Sequence, residues 1–300
     1  MKIKIGTRGS DLALWQAEYV SELIGRENTE IHIIKTQGDI IQNVSFEKME
    51  GKGFFTKEIE NALLDKSIDI AVHSLKDLPT DSIPELCVAA IPVREKPSDV
   101  LLIRPEALDA TRILHLREHA VVGTSSMRRL AQLKHADPTI EVQPLRGNVN
   151  TRLRKLSEDR YDAIVLAYAG IARLKLDISA FHMYILPFDI FLPAPAQGAL
   201  GLQVRTDDVH ARSVIRKLNH EDTELAVTAE REFLKYFGGG CHIPLGALAT
   251  IAAGSIHLTG VIAATDGSKT MRESVSGTDP QKIGAELARI LKAQGAAELL

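Results

Sequence analysis

Over the first two thirds of the chain, short apolar runs end in a polar or glycine-bearing turn and lead into helix-like segments, and this alternation leaves few folds open. Residues 3–7 read as a strand and Arg8-Gly9-Ser10 as a turn. Ser10 and Asp11 then supply a helix N-cap and a first-turn acid, and Leu12, Trp15, Tyr19 and Leu23 recur at helical spacing. Further strands are predicted over 30–36, 68–72, 86–91, 99–103, 120–122, 140–144 and 162–167. Thr56 is placed to cap a helix with Ile59, Leu63 and Leu64 on its apolar side. Two proline-bearing stretches, 92–98 and 191–199, break the rhythm and read as crossings between two α/β domains. After the second crossing a last strand rejoins the first sheet. Beyond residue 221 the pattern changes to a helix, three short alternating runs and a C-terminal amphipathic helix, a small α+β unit. The predicted boundaries are 1–94 with 195–214 for a discontinuous first domain, 98–190 for an inserted second domain and 218–300 for the third.

Charge narrows the choice of ligand. The 300-residue chain has a net charge of −3, which disfavours nucleic acid, yet residues 123–175 hold ten Lys and Arg against five acids. Three successive strand ends in this window deliver arginines. Gly123-Thr124-Ser125-Ser126 opens a helix with Arg128 and Arg129, Leu145-Arg146-Gly147-Asn148 opens one with Arg152, and Arg173 follows the next strand. Hydroxyls and glycine at a helix N-terminus suit an anion, and guanidinium forks suit carboxylates. With Arg8 from the first domain, these groups converge if both sheets are parallel and face one cleft. Arg154, Lys155 and Arg160 read as decoration of an exposed helix.

Three further features carry chemistry. Asp77, in His73-Ser74-Leu75-Lys76-Asp77-Leu78-Pro79, follows a strand end; by itself it is an aspartate capping a turn before proline, and in a cleft it is a general acid or base. The glycine-bearing stretch 42–53 is a loop without the spacing of a phosphate-binding P-loop. Gly238-Gly239-Gly240 places Cys241 on a loop after a helix, either as a small buried side chain or as a thiol presented to a ligand. The chain's two cysteines, Cys87 and Cys241, cannot build a metal cluster alone, and Cys87 reads as a core residue. No apolar run reaches membrane-spanning length and the N-terminus reads as a strand, so a cytoplasmic protein is expected. These features fit an enzyme acting on an anionic substrate, and they also fit a hinged protein that only captures a small anion.

The residues resemble the porphobilinogen deaminase (hydroxymethylbilane synthase) family. The resemblance is carried in order by Gly6-Thr7-Arg8-Gly9-Ser10, Gly51-Lys52-Gly53-Phe54-Phe55-Thr56, His73-Ser74-Leu75-Lys76-Asp77-Leu78-Pro79, Gly123-Thr124-Ser125-Ser126-Met127-Arg128-Arg129, Leu145-Arg146-Gly147-Asn148-Val149-Asn150-Thr151-Arg152, Gln197-Gly198-Ala199 and Gly239-Gly240-Cys241. It implies two α/β domains like those of periplasmic binding proteins around a cleft, plus a small C-terminal α+β domain. It implies a dipyrromethane cofactor held by a thioether to Cys241, with Lys76, Asp77, Ser126, Arg128, Arg129 and Arg146 around it. Four porphobilinogen units are then joined head to tail, ammonia leaves at each addition, and water releases hydroxymethylbilane. Asp77 matches the catalytic aspartate. Arg8, Ser10, Lys52, Phe55, Arg146, Arg152, Arg173 and Gln197 match substrate positions. A monomer with no nucleic-acid or membrane partner is the family expectation. Ala194-Pro195-Ala196 departs from the family, which often has another glycine there.

Overall fold

A computed structural model describes residues 2–36, 56–81, 83–240 and 243–300. The readings placed on Lys52, Phe55 and Cys241 lie outside the described residues. The first domain runs β1 (Ile3–Thr7), α1 (Asp11–Ile24), β2 (Thr29–Ile33), α2 (Lys57–Leu64), β3 (Ile70–Ser74) and β4 (Leu86–Ala90). The second runs β5 (Asp99–Ile103), β6 (Val121–Gly123), α3 (Met127–Ala136), β7 (Glu141–Gln143), α4 (Val149–Ser157), β8 (Ala163–Ala167), α5 (Tyr168–Leu174) and β9 (His182–Ile185). The chain then returns through β10 (Leu200–Arg205) and α6 (Val209–Arg216). The third domain has α7 (Glu221–Lys235), β11 (Leu245–Ala252), β12 (Ser255–Ala263), β13 (Thr270–Gly277) and α8 (Pro280–Ala293).

The two larger sheets share one topology. Their orders are β2-β1-β3-β10-β4 and β7-β6-β8-β5-β9. In each, the fourth place belongs to the strand that follows a crossing, and that strand runs antiparallel to both neighbours. The expectation of parallel sheets is therefore corrected: both are mixed. The reason is the length of the crossings. β4 ends at the cleft, and the short connection that follows enters the second sheet at its cleft edge. β5 must then run away from the cleft, opposite to β6 and β8, and the return through β10 repeats the arrangement. Alternate residues of these strands serve opposite faces. Leu101 and Ile103 pack with Leu114 and Leu133, whereas Val100 and Leu102 pack with Leu156 and Leu166.

Local chemistry accounts for most helix starts. Ser10, Asn148, Asp208 and Asp279 each accept a first-turn backbone N–H with the side chain. Thr56 stands at an N-cap position without such a bond. The structure places both helical stripes and corrects one residue of the second. In α1 the buried side chains are Gln16, Ala17, Val20 and Ser21. Trp15 and Tyr19 instead stack on each other, 5.3 Å between ring centroids, on the side that meets the second domain. In α2, Ile59 and Leu63 are buried and Leu64 is exposed. β9 and α6 carried no pattern that the sequence reading registered.

The third domain is an antiparallel sheet, β11-β12-β13, packed with α7 and α8 around Phe233, Leu258 and Leu287. In this apolar setting α7 buries a carboxylate. Glu230 has no exposed side-chain surface. Its oxygens accept from both terminal nitrogens of Arg94 at 2.7 and 3.0 Å, from the Ala196 N–H at 2.6 Å and from the Ala249 N–H at 2.8 Å. Arg94 lies in the first crossing, Ala196 in the second and Ala249 in β11, so one carboxylate joins both crossings to the third domain.

Removing one member of a buried pair leaves the other charge uncompensated, at a cost of about 3–5 kcal/mol. Glu230→Ala should lower stability by that amount in urea unfolding, and a shift below about 1 kcal/mol would contradict this. His73 on β3 gives a second expectation. Burial pushes its imidazole down to about 4, and the bond from its Nε2 to Gln203 opposes that only partly. The unfolded chain therefore takes up this proton first, and stability falls as pH drops from about 6.5 towards about 4. His73→Gln should lose about 2 kcal/mol less than the parent between pH 7 and pH 5 in paired urea titrations. Equal losses would rule the group out.

Candidate active site

β3 leads without a gap into a 3-10 turn, Leu75–Asp77. Leu75 and Leu78 are buried on either side of the turn, which leaves Lys76 half-buried and Asp77 exposed. The Leu75 N–H donates to Ala199 O at 3.0 Å, tying the turn to the second crossing. Below it, the Gln16 side-chain amide donates to Ser74 Oγ at 2.9 Å. Lys76 Nζ donates to Gln197 Oε1 at 3.3 Å, and Gln197 Nε2 donates to Pro97 O at 2.7 Å. Lys76 is thereby linked to both crossings. Close approach of the crossings demands Gly198: its φ is +86°, and a Cβ there would lie 2.3 Å from Glu95 O. Arg8 stands two residues past Gly6, which pairs with Ala71, so it opens on the same sheet edge as the Asp77 turn.

The second domain supplies the opposite bank. Ser125 Oγ donates to Leu145 O and accepts from Leu145 N, at 3.0 and 3.1 Å, which joins the loop before α3 to the loop before α4. Ser126 occupies the α3 N-cap position, and its hydroxyl makes no capping bond. Arg128 and Arg129 are buried on Asp99, which opens β5. Arg128 donates to Asp99 Oδ2 at 2.7 Å and to Leu192 O at 2.8 Å. Arg129 donates to Asp99 Oδ1 through Nε and a terminal nitrogen, at 3.0 and 2.6 Å, and to Val165 O at 2.9 Å. Arg146 and Arg152 are half-buried. Arg152 Nε donates to Gly147 O at 2.8 Å. Lys155 corrects its reading as surface decoration, because its Nζ donates to Arg146 O at 3.0 Å and fixes the loop. Arg154 and Arg160 are exposed as expected.

These charges act on one another across the cleft. Burial pushes the Lys76 ammonium down; Asp77 opposes this and Arg129 and Arg128 reinforce it. Burial and then Arg129 bring Arg152 down to about 10, with Asp77 again opposing and Arg146 reinforcing. Burial alone would raise the Asp99 carboxyl, but Arg128 and Arg129 outweigh it and hold the group at about 2. Lys76, Asp77, Asp99, Arg128, Arg129, Arg146 and Arg152 thus form one electrostatic cluster. Asp99 is committed to two of its arginines, so the remaining cations outnumber Asp77. Cations pressed towards neutrality by burial and by each other are relieved by an anionic ligand.

Arg173 stands apart from this cluster. It is buried, donates to Gly198 O at 2.7 Å and lies 5.6 Å over the Trp15 ring. Its charge neighbours are Glu95 and Tyr19. Ser10 is occupied with the α1 cap. On the third domain, Gly238 and Gly239 have φ of +92° and +68°, and a Cβ at Gly239 would lie 2.1 Å from Thr80 Oγ1. The backbone approaching Cys241 therefore touches a residue three positions past Asp77.

Sequence reading missed Asp99, Arg94 and Glu230. Asp99 opens an otherwise apolar strand, and a lone acid in that position signals a buried cation elsewhere. Arg94 and Glu230 sit in charge-rich surroundings that mask them.

A family model described as porphobilinogen deaminase, dipyromethane cofactor binding domain, matches residues 3–213, and one described as porphobilinogen deaminase, C-terminal domain, matches residues 224–293. The porphobilinogen deaminase of Syntrophomonas wolfei is 44% identical over 306 residues, covering 99% of this chain and 97% of its own. That of Shouchella clausii is 44% identical over 304 residues, covering 100% and 96%. Among solved structures, a Salmonella typhimurium periplasmic binding protein of high arginine specificity aligns with a TM-score of 0.42 at 14% identity, over 74% of this chain and 93% of that one. No helix among the described residues is long and apolar enough to cross a membrane. With both family models spanning nearly the whole chain in order, and relatives matching it end to end, the chain belongs to the porphobilinogen deaminase family.

Proposed function

We propose that this chain joins porphobilinogen units head to tail on a dipyrromethane primer attached through Cys241 and then releases hydroxymethylbilane. The observation that carries the reading is the pairing of one carboxylate, Asp77, on a fixed turn with an excess of cations from the facing domain. Each pyrrole of this substrate class bears two carboxylates, so a growing chain requires many cations and few acids. The residues present fit a dipyrromethane on that ground, and Gly239 against Thr80 supports a thioether at Cys241 within reach of the Asp77 turn. When bound, the dipyrromethane supplies the pyrrole carbon to which the first substrate is joined.

The chain's own groups divide the remaining work. Lys76 and Arg146 would hold the cofactor's carboxylates, with Arg128 and Arg129 kept beside them on Asp99, while Arg8, Arg152 and Gln197 would orient the incoming substrate. Lys52, Phe55, Ser10 and Arg173 belong to this substrate set by family resemblance. The Asp77 carboxyl gives a proton to the departing aminomethyl nitrogen, and the resulting carboxylate faces the carbon cation left on the substrate. A monomeric, soluble cytoplasmic enzyme is what the family resemblance leads us to expect.

Asp77→Asn keeps the shape of the side chain and removes its proton chemistry. It should retain fold and cofactor while lowering the rate of tetrapyrrole formation by about 10²–10⁴-fold. Turnover close to the parent's would remove Asp77 from the mechanism.

A further inference from the structure

Three carbonyl groups bracket Asp77, and one side chain from another domain collects all of them. Arg231 on α7 donates through one terminal nitrogen to Leu75 O at 3.0 Å and Leu78 O at 2.8 Å, and through the other to Pro79 O at 2.7 Å. A turn that ends in proline leaves carbonyls outside any sheet ladder, and each needs a donor. The planar guanidinium meets that need with several donors in fixed relation. Packing secures the turn only in part. Leu75 and Leu78 rest with Val227 of α7 and with Ala196 and Ala199 of the second crossing. Beside them is an open surface pocket of about 220 Å³, lined by Leu75, Thr80, Val88, Val227 and Arg231 and by the charged Glu224, Glu232 and Lys235.

We infer that Arg231 is a positioning residue for the reaction: it fixes the Asp77 turn from behind, so that the third domain sets where the carboxylate stands in the cleft. The inference rests on the reading of Asp77 as the catalytic carboxylate. Arg231 meets the turn through these three backbone carbonyls and acts through Asp77. A displacement of about 1 Å in a reacting group costs on the order of 100-fold in rate, so a small relaxation of the turn is enough to be measured.

The test uses the holoenzyme, with retention of the cofactor mass checked first. Arg231→Met keeps the length of the stem and removes the donors. It should lower kcat by about 10- to 100-fold while KM for porphobilinogen changes by less than about twofold. Arg231→Lys, which keeps a charge and part of the donor set, should fall between this variant and the parent. In an Asp77→Asn background the same Arg231 changes should cost less than about threefold more, because the group they act through is already disabled. An unchanged kcat in Arg231→Met overturns the inference, as does an equal loss with and without Asp77. If Arg231→Met does not fold, Arg231→Lys carries both readings on the same criteria. Parent-like turnover in Asp77→Asn would remove the underlying reading of Asp77; an inactive Asp77→Asn beside a fully active Arg231→Met would remove this inference alone.

Discussion

The architecture depends on the buried carboxylate of Glu230. Two crossings connect the larger domains, and neither has helix or strand of its own. Glu230 takes Arg94 from one, Ala196 from the other and Ala249 from the third domain's sheet. A buried charge survives only when its bonding capacity is met, and here four donors meet it. The crossings are further stitched to each other by Glu95 N to Gly198 O at 3.2 Å, Arg94 Nε to Gln197 O at 2.8 Å and Gln197 to Pro97. The joint is therefore a hydrogen-bonded plate.

The site grows out of that plate. Leu75 bonds to Ala199 and Lys76 bonds to Gln197, so the Asp77 turn is part of the joint rather than an ornament of the first sheet. The facing arginines are ordered by a separate device. Asp99 begins the strand that has just crossed over, and its carboxylate draws Arg128 and Arg129 to the cleft end of the second sheet. Each crossing thus ends in residues that orient the charges of the site. α7 supplies Glu230 to the joint and then runs towards the glycine loop that lies against Thr80.

Much of this was legible in the sequence because it is local. Strand alternation, the caps at Ser10 and Asn148, and the proline-bearing crossings depend on residues within a few positions of one another. The cluster of Asp77 with Lys76, Arg129, Arg146 and Arg152 was legible as chemistry, since cations at successive strand ends can meet only at one sheet edge. Strand direction was not. β5 and β10 look like their parallel neighbours, and only the short crossings turn them round. Nor could spacing reveal long-range partners: Arg94 and Glu230 are 136 residues apart, and neither has a neighbour that announces the pair. Nor did helical spacing show that Trp15 faces Arg173 of the other domain.

The central claim is that this cation-lined cleft serves a primer tethered to the chain. The most direct measurement is the intact mass of the purified protein under denaturing conditions, followed by peptide mapping. The account predicts an excess equal to two linked porphobilinogen-derived pyrroles, located on the peptide that contains Cys241. An unmodified mass that neither porphobilinogen nor hydroxymethylbilane alters on incubation would contradict it.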